Sequence, residues 1–188
     1  MTYSEIKQLA LKQMDQDPHD MEEFADLLNV YVNEGYQIAL MDYAKPREEF
    51  ILTTDEDGNA DISGLRIHQL IKVESYPAGY SAFEELDELG EKLHTVLREA
   101  KIRVVAHVSR PDMAEDSDEP KLPEWAHNAL ADYACYRYLA NGNMAKQSRA
   151  QFYYGQFLTT MRRIRPQGMG SVTHKRNLYA ATDTNWVR

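Results

Sequence analysis

Apolar residues recur at spacings of three and four towards both ends of the chain, and this period predicts amphipathic helices there. The first two helices cover residues 2–14 and 21–43, with a break at Pro18, and Pro46 ends the second one. Gly35 lies within the apolar stripe of the second helix. Its missing side chain lowers helix propensity but permits another helix to cross closely.

A second pair of helices is predicted near the C-terminus, over about residues 124–140 and 144–165. The short sequence "NGN" between them ends one helix and caps the next, and so short a connection predicts antiparallel neighbours. Residues suited to N-caps also precede the first pair of helices: Thr2 or Ser4 before the first, and Asp20 before the second.

Between residues 47 and 120 the pattern changes to the alternation typical of β-strands. The stretches "EFILTT" and "LRIHQLIKVESY" are predicted strands, on either side of an acidic turn centred on Asp57 and Gly58. The stretch "KLHTVLREAKIRVVAHV" alternates on both sides of its middle and predicts a β-hairpin. A turn at Ala100-Lys101 would set His94 opposite His107. Two imidazoles could share a metal, but the sequence places no third ligand, so we expect no metal site.

The order of these elements predicts an α+β protein, mainly an α-helical four-helix bundle with an inserted antiparallel β subdomain and an extended C-terminal arm. The two helical halves bury their apolar stripes most simply against each other. We therefore expect residues 1–46 and 121–165 to form the bundle, residues 47–120 the β subdomain, and residues 166–188 the arm.

Charge is unevenly divided along the chain, whose formal net charge is −9. Residues 1–161 hold 15 Lys/Arg and 29 Asp/Glu, whereas residues 162–188 hold six Lys/Arg and one Asp. An acidic body argues against sequence-specific DNA reading, which needs a basic face. The basic tail indicates docking on an acidic partner surface or weak phosphate contact, and a solvated, frayed terminus fits the charge equally well.

Motifs of catalytic and cofactor sites are missing from the sequence: it has no phosphate loop, no dinucleotide glycine fingerprint, no HExxH and no nucleophile elbow. The single cysteine, Cys135, lies in an apolar helical pattern and is expected to be a core residue in a reducing compartment. No apolar run has the length of a membrane span, and the N-terminus lacks a signal-peptide layout. We expect no catalytic residues, no cofactor and no membrane, and assembly in a cytoplasm.

Aromatic residues are concentrated on the last two predicted helices. Tyrosines could stack nucleic-acid bases, but their helical spacing and the scarcity of Lys and Arg around them favour packing between helices or between subunits. The residues expected in the core or at a subunit interface are Trp125, Tyr133, Tyr136, Tyr154 and Phe157.

The stretch "PKLPEWAHNALADYACYRYLANGNMAKQSRAQFYYGQFLTTMRRI" resembles the C-terminal helical hairpin of head-to-tail adaptor (connector) proteins of tailed bacteriophages. Similarly, "MEEFADLLNVYVNEGYQIAL" resembles the long second helix of that family, and "EEFILTT" with "DISGLRIHQLIKVES" resembles its first strands. The resemblance follows the order of elements along nearly the whole chain. It rests on a pattern of residue sizes and involves no invariant catalytic set.

This resemblance implies a structural protein of the virion neck, between the capsid portal and the tail. It implies a homo-oligomeric ring of twelve copies that docks on the portal protein, extends the DNA channel and offers a platform to a downstream tail or nozzle protein. Double-stranded DNA would pass through without sequence-specific binding. An acidic lumen would suit this passage, and the acidic residues within 84–89 and 114–120 are candidates to line it.

The resemblance also implies a role for the C-terminal arm, which in this family extends from the bundle and docks on the portal. Lys175 and Arg176 would meet acidic portal groups, while Leu178, Tyr179 and Trp186 would serve as apolar anchors. Twelve copies would compensate for weak individual contacts through avidity.

Two other kinds of function remain open at the level of sequence. A DNA-packaging accessory ring would need a helix-turn-helix and a basic groove, and neither is visible in the sequence. An enzyme with a helical bundle and a β cap would need convergent titratable residues, and the sequence does not assemble any.

Overall fold

The computed structural model describes residues 1–81, 84–86 and 91–164. They form two compact units: a helical unit that combines residues 1–44 with the segment starting at Arg110, and a β unit that starts at Lys45 and runs to Ser109. Four α-helices and small antiparallel sheets make this an α+β fold, and the predicted fold class is confirmed at that level.

The helices are α1 (Tyr3–Gln13), α2 (Met21–Ile38), α3 (Asn128–Ala140) and α4 (Met144–Met161). The strands are β1 (Arg47–Thr53), β2 (Asn59–Asp61), β3 (Ile67–Ser75), β4 (Glu84–Leu86), β5 (Lys92–Thr95) and β6 (Lys101–Val108).

Two helices begin at the N-caps that the sequence predicts. Thr2 caps α1 through a capping box: its Oγ1 accepts the N–H of Glu5 at 3.3 Å, and the Glu5 carboxylate accepts the N–H of Thr2 at 2.9 Å. Asn143 caps α4, because its Oδ1 accepts the N–H of Lys146 at 3.1 Å. The prediction for "NGN" is thereby confirmed.

Asp20 is the N-cap residue of α2, as the sequence predicts. Asp20 makes no side-chain capping bond. Instead a short 3₁₀ turn, Pro18–Asp20, precedes α2, and Asp17 caps this turn by accepting the N–H of His19 at 2.9 Å. Asp20 ends this turn and remains the N-cap residue of α2, but its side chain accepts no N–H group of the first turn of the helix.

The other end of α2 also differs from the prediction. The α-helix stops at Ile38 and continues as a wider π-helical segment, Ala39–Ala44. This segment keeps Ala39 and Leu40 fully buried in the core of the helical unit. The sequence predicted one regular helix up to residue 43, because apolar periodicity does not distinguish a π turn from an α turn.

Helix α3 is the centre of the helical unit, since it packs against α1, α2 and α4. Its buried residues surround the helix and do not form a single stripe, which is typical of a fully buried helix. Most of these side chains are small, so three neighbours can approach closely. The buried residues of α3 are Ala129, Leu130, Ala131, Tyr133, Ala134, Cys135 and Leu139.

One close approach involves Gly35 of α2. A Cβ atom added to Gly35 would lie 2.9 Å from Cδ1 of Tyr133 in α3. No side chain fits in this space, and the predicted role of Gly35 in a close helix crossing is confirmed.

The segment between the β unit and α3 is held on the helices by polar contacts. Asn33 of α2 makes two hydrogen bonds with the backbone of Met113: its Nδ2 donates to the carbonyl at 3.0 Å, and its Oδ1 accepts the N–H at 2.9 Å. Lys7 of α1 forms an ion pair with Asp116 at 2.8 Å. The acidic loop that contains these residues is therefore an ordered part of the helical unit.

The β unit contains two three-stranded antiparallel sheets, with strand orders β1-β6-β3 and β2-β5-β4. Strand β6 is central in the first sheet, where Val104 lies opposite Phe50 of β1 and Val73 of β3. The small apolar core of this unit consists of Ala60, Ile62, Val73, Leu93, Ile102 and Val104.

The predicted hairpin between β5 and β6 is wrong, because these strands belong to different sheets. Strand β6, which is buried at five of its eight residues, pairs along one edge with β1 and along the other with β3. Strand β5 pairs with β2 and β4. His94 consequently lies opposite Asn59, and His107 lies opposite Arg47 and Gln69, so the two imidazoles do not face each other.

The acidic turn before β2 forms as predicted. The Asp55 carboxylate accepts the N–H groups of Asp57 at 3.0 Å and Asn59 at 2.7 Å, and these bonds lower the pKa of Asp55. Gly58 adopts a φ of 88°, and a Cβ there would lie 2.3 Å from the carbonyl oxygen of Thr95. Only glycine satisfies both the backbone angle and this contact.

Candidate assembly surfaces

Four aromatic side chains of α3 and α4 form a connected cluster. Tyr133 and Phe157 are buried, with ring centroids 5.0 Å apart, and Tyr136 and Tyr154 are half-buried, with centroids 4.6 Å apart. Tyr133 also meets Tyr136 edge-on at 5.8 Å. Such tilted and edge-on pairs are the favoured arrangements for aromatic rings. Two rings of the cluster are thus buried, and the other two are partly exposed to solvent.

A cleft of about 220 Å³ opens above this cluster. Its walls are mostly apolar and aromatic, and Asp42 is its single carboxylate. It offers space for a side chain of a partner but no set of convergent titratable groups. The lining residues are Ile38, Asp42, Tyr43, Tyr133, Tyr136, Tyr154, Phe157 and Leu158.

The hydroxyl of Tyr133 is held neutral. Burial, followed by the nearby Glu34 carboxylate, raises the pKa of Tyr133 to about 12. Glu34 is itself paired with Arg137, whose Nη1 lies 2.8 Å from Oε1. The ion pair connects α2 to α3 at the edge of the cluster.

Trp125 lies apart from the cluster, in a 3₁₀ turn, Glu124–Ala126, that leads into α3. Its side chain is 47% exposed, and the guanidinium of Arg163 lies 5.0 Å from the indole centroid. This cation–π contact connects the start of α3 with the residues that follow α4. The structure therefore separates the five aromatic residues of the sequence prediction into two sites.

Cys135 lies fully buried in α3, as the sequence predicts. Burial raises the pKa of Cys135 to about 12, so the thiolate is strongly disfavoured. Within residues 1–81, 84–86 and 91–164, no three His, Cys, Asp or Glu side chains come together in a way that could hold a metal ion. In the same part of the chain no helix combines the length and the apolar character that crossing a bilayer requires.

The acidic loop 114–120 is a candidate for lining the channel. Two of its carboxylates are already engaged in contacts within the protein. Asp118 accepts the N–H groups of Glu115 at 2.9 Å and Ala114 at 2.8 Å, and these bonds lower its pKa. Asp116 pairs with Lys7. Glu115 and Glu119 are exposed.

The residues expected to dock on the portal lie outside the described residues, as do the side chains of the second acidic candidate, residues 84–89. These predicted docking residues are Lys175, Arg176, Leu178, Tyr179 and Trp186.

Sequence reasoning missed three exposed apolar side chains on the outer sides of α2 and α4. Val30 is 61% exposed, Met144 is 78% exposed and Phe152 is 61% exposed. A signal for them existed in the helical pattern, because Val30 and Phe152 lie opposite the buried stripes of their helices. Exposed apolar residues of this size indicate an interaction surface when they occur on one face.

The sequence was compared with models of known protein families. A family model described as SU10 adaptor protein matches residues 1–181. Because the match extends over nearly the whole chain, the chain belongs to the SU10 adaptor protein family. The resemblance to phage head-to-tail adaptor proteins is thereby confirmed, and the chain is classed as a phage structural adaptor. Comparison with curated proteins gives no match.

Proposed function

We propose that this protein forms the head-to-tail adaptor ring in the neck of a tailed phage virion. Twelve copies dock on the portal protein, extend the channel for double-stranded DNA and provide the platform for a downstream tail or nozzle protein. The family match over residues 1–181 is the observation that carries this proposal. The aromatic cleft and the exposed apolar side chains of α2 and α4 support it, since a ring subunit needs several contact surfaces.

In this proposal the parts of the chain divide the work. Residues 1–46 and 121–165 act as a four-helix bundle that gives the ring its rigid body. Residues 47–120 act as the insertion, whose strands form the β subdomain and whose last part, from Arg110 on, packs on the helices. Residues 166–188 act as the docking arm. The continuous core shared by α1, α2, α3 and α4 supports the first assignment, because a rigid body needs packed helices.

The arm docks through charge and apolar anchors. Lys175 and Arg176 meet acidic groups of the portal, and Leu178, Tyr179 and Trp186 fill apolar pockets there. The excess of Lys and Arg in residues 162–188 supports this role. Each arm offers only a few contacts, and twelve arms on one ring compensate for weak individual binding by avidity.

The acidic body suits a channel through which DNA slides during genome ejection. Each Lys or Arg that faced the DNA would add a phosphate contact and slow the passage. Glu115 and Glu119 are exposed and are available to line the lumen. The protein thus acts as a structural component of the virion, without catalysis or a cofactor, and is assembled in the host cytoplasm.

A portal binding experiment tests the proposal. Full-length protein and a truncation that ends at Arg165 are mixed with purified portal, captured through a tag on the portal and imaged by negative stain. We expect the full-length protein to form rings on the portal and the truncation to be lost on washing. Circular dichroism of the truncation checks that its helices are intact.

A charge-reversed arm gives a finer control, because Lys175→Glu with Arg176→Glu keeps the length and the aromatic anchors. We expect this variant to bind the portal at low salt more weakly than the full-length protein does. Equal capture of all three forms would show that the arm does not dock on the portal. Capture of none of them would contradict the adaptor function itself.

A further inference from the structure

The two long outer helices of the helical unit differ in the charge of their exposed sides. Helix α4 buries Ala150, Phe157 and Met161, and its opposite side carries the α4 face, which we define as Met144, Ala145, Ser148, Phe152, Gly155 and Thr159. All six residues are exposed and none is charged. The whole of α4 contains two cations, Lys146 and Arg149, and no carboxylate, although the chain as a whole is acidic.

Gly155 in the middle of the α4 face has no explanation within the described chain. Glycine weakens the interior of a helix, so it needs a packing reason. For Gly35 that reason is the Tyr133 ring, but a Cβ added to Gly155 would meet no atom within 4 Å. Space of this kind, beside an aromatic residue that is 61% exposed, fits the close approach of another chain.

Helix α2 differs from α4 in charge, because its exposed side is acidic. Its exposed side carries the α2 face, which we define as Glu22, Glu23, Asp26 and Val30. The helix contains no Lys or Arg, and Val30 is 61% exposed. A shallow groove of about 400 Å³ borders Val30 and is lined by Asn29, Asn33, Glu34, Gln37 and Asp112. An apolar side chain on a helix without carboxylates would therefore find a contact here without like-charge repulsion.

The two faces also match in position along their helices. Phe24 and Lys146 both contact the ring of Tyr138, at 6.0 Å between centroids and at 5.8 Å from the ammonium, so the starts of α2 and α4 lie level. Ile38 and Leu158 line the same cleft further along, so the two helices run in the same direction. Val30 and Phe152 follow Phe24 and Lys146 by six residues each and lie at a common level.

We propose that the α4 face of one copy packs against the α2 face of the next copy, with Phe152 against Val30 and Gly155 at the closest approach. The inference rests on the proposed ring and names the surfaces that build it. The two faces are different patches of one chain, so the contact is head-to-tail, and such contacts generate a closed ring when the rotation between copies closes. If α2 and α4 run along the ring axis, rotation about that axis leaves them nearly parallel in neighbouring copies. Phe152 of one copy then lies at the same height as Val30 of the next.

Cysteine cross-linking in the full-length protein tests this pairing. Val30→Cys and Phe152→Cys are made singly and together; Cys135 does not interfere, because it is fully buried. After assembly with purified portal and mild oxidation, the double variant is expected to give a ladder of linked oligomers. Each single variant alone should give no linked product, whereas a mixture of the two should give linked dimers and nothing larger.

Two further variants separate this inference from the proposed function. A Val96→Cys/Phe152→Cys double variant is the matched control, since Val96 is 67% exposed and belongs to the β unit; it should give no ladder. Phe152→Glu should weaken self-association at least about tenfold while leaving the helical circular dichroism signal unchanged.

Two outcomes overturn the pairing: no ladder from the double variant, or linked dimers from a single variant alone. Images of the same samples show which idea has failed. Portal-bound rings without a ladder contradict only the paired faces, and the adaptor function stands. Absence of portal-bound rings even for the unmodified protein contradicts the ring and the paired faces together.

Discussion

Gly35 and Gly155 both lie inside long helices, but they differ in the space that is available for a side chain. A methyl group at Gly35 would press on Tyr133 at 2.9 Å, whereas a methyl group at Gly155 would meet open space. We expect Gly35→Ala to destabilise the helical unit by about 1–3 kcal/mol through overpacking. The matched change Gly155→Ala should stabilise it by up to about 1 kcal/mol, because alanine is the better helix former.

Urea unfolding followed by circular dichroism measures both effects. A Gly35→Ala variant as stable as the original chain would mean that Tyr133 shifts at no cost and that the close crossing of α2 and α3 is not required.

Glu74 is a buried carboxylate in the β unit and predicts a pH dependence. Its Oε2 forms an ion pair with Lys72, and its Oε1 accepts a hydrogen bond from Arg103. These two cations lower the pKa of Glu74 below its ordinary value of 4.5. A carboxyl group with a lowered pKa in the folded state stabilises the fold above the ordinary value. This stabilisation is lost as the pH falls through the lower, folded value.

The comparison of Glu74→Gln with the unmodified protein, by urea unfolding at neutral and acidic pH, checks this sign. We expect the variant to be less stable at pH 7, because Lys72 loses its ion pair and Arg103 keeps only the longer contact with Glu49, at 3.6 Å. The difference should shrink at a pH well below 4.5. A difference that stays constant with pH would show that the ionised form of Glu74 contributes nothing.

The start of α4 depends on one capping side chain, that of Asn143. We expect Asn143→Ala to cost about 0.5–2 kcal/mol in the free energy of unfolding, since the first N–H groups of the helix lose an acceptor. Asn143→Asp keeps the acceptor and adds a charge that the helix dipole favours, so it should be at least as stable as the original chain. Equal losses in both variants would show that the turn sequence, not the cap, sets this helix start.

The helices could be predicted well from the sequence, whereas strand pairing could not. A period of 3.6 residues identifies which side of a helix is buried, and all four helices were found from it. Alternation in β5 and β6 correctly indicated strands but says nothing about which strand lies alongside. The consecutive apolar residues Val104, Val105 and Ala106 interrupt the alternation of β6, and they were the missed sign of a strand buried on both faces.

The candidate surfaces could be predicted only in part for a related reason. The sequence indicated that Tyr133, Tyr154 and Phe157 lie in a core or an interface, but only the packing of α3 against three helices decides how deeply each is buried. Phe152 and Val30 could have been found as apolar residues opposite a stripe. Single exposed apolar residues are common on protein surfaces. They indicate an interface here because the structure places Val30 and Phe152 at the same height along two parallel helices.

The charge distribution of the whole chain predicts how strongly it binds DNA. We expect weak, sequence-independent binding at low salt through the basic residues 162–188, and no binding at about 150 mM salt, because an acidic body offers few phosphate contacts. Gel shift with two unrelated duplexes at both salt concentrations measures this. The truncation that ends at Arg165 should lose most of the low-salt shift. A strong preference for one duplex would favour a DNA-packaging role instead.

Native mass spectrometry of the portal ring, alone and after addition of this protein, tests the central claim most directly. We expect the portal complex to gain the mass of twelve chains of 21.7 kDa each, with few partly filled complexes because neighbouring copies stabilise one another. A portal that gains no mass, or that binds isolated copies without completing a ring, would contradict the claim that this chain is a ring-forming adaptor.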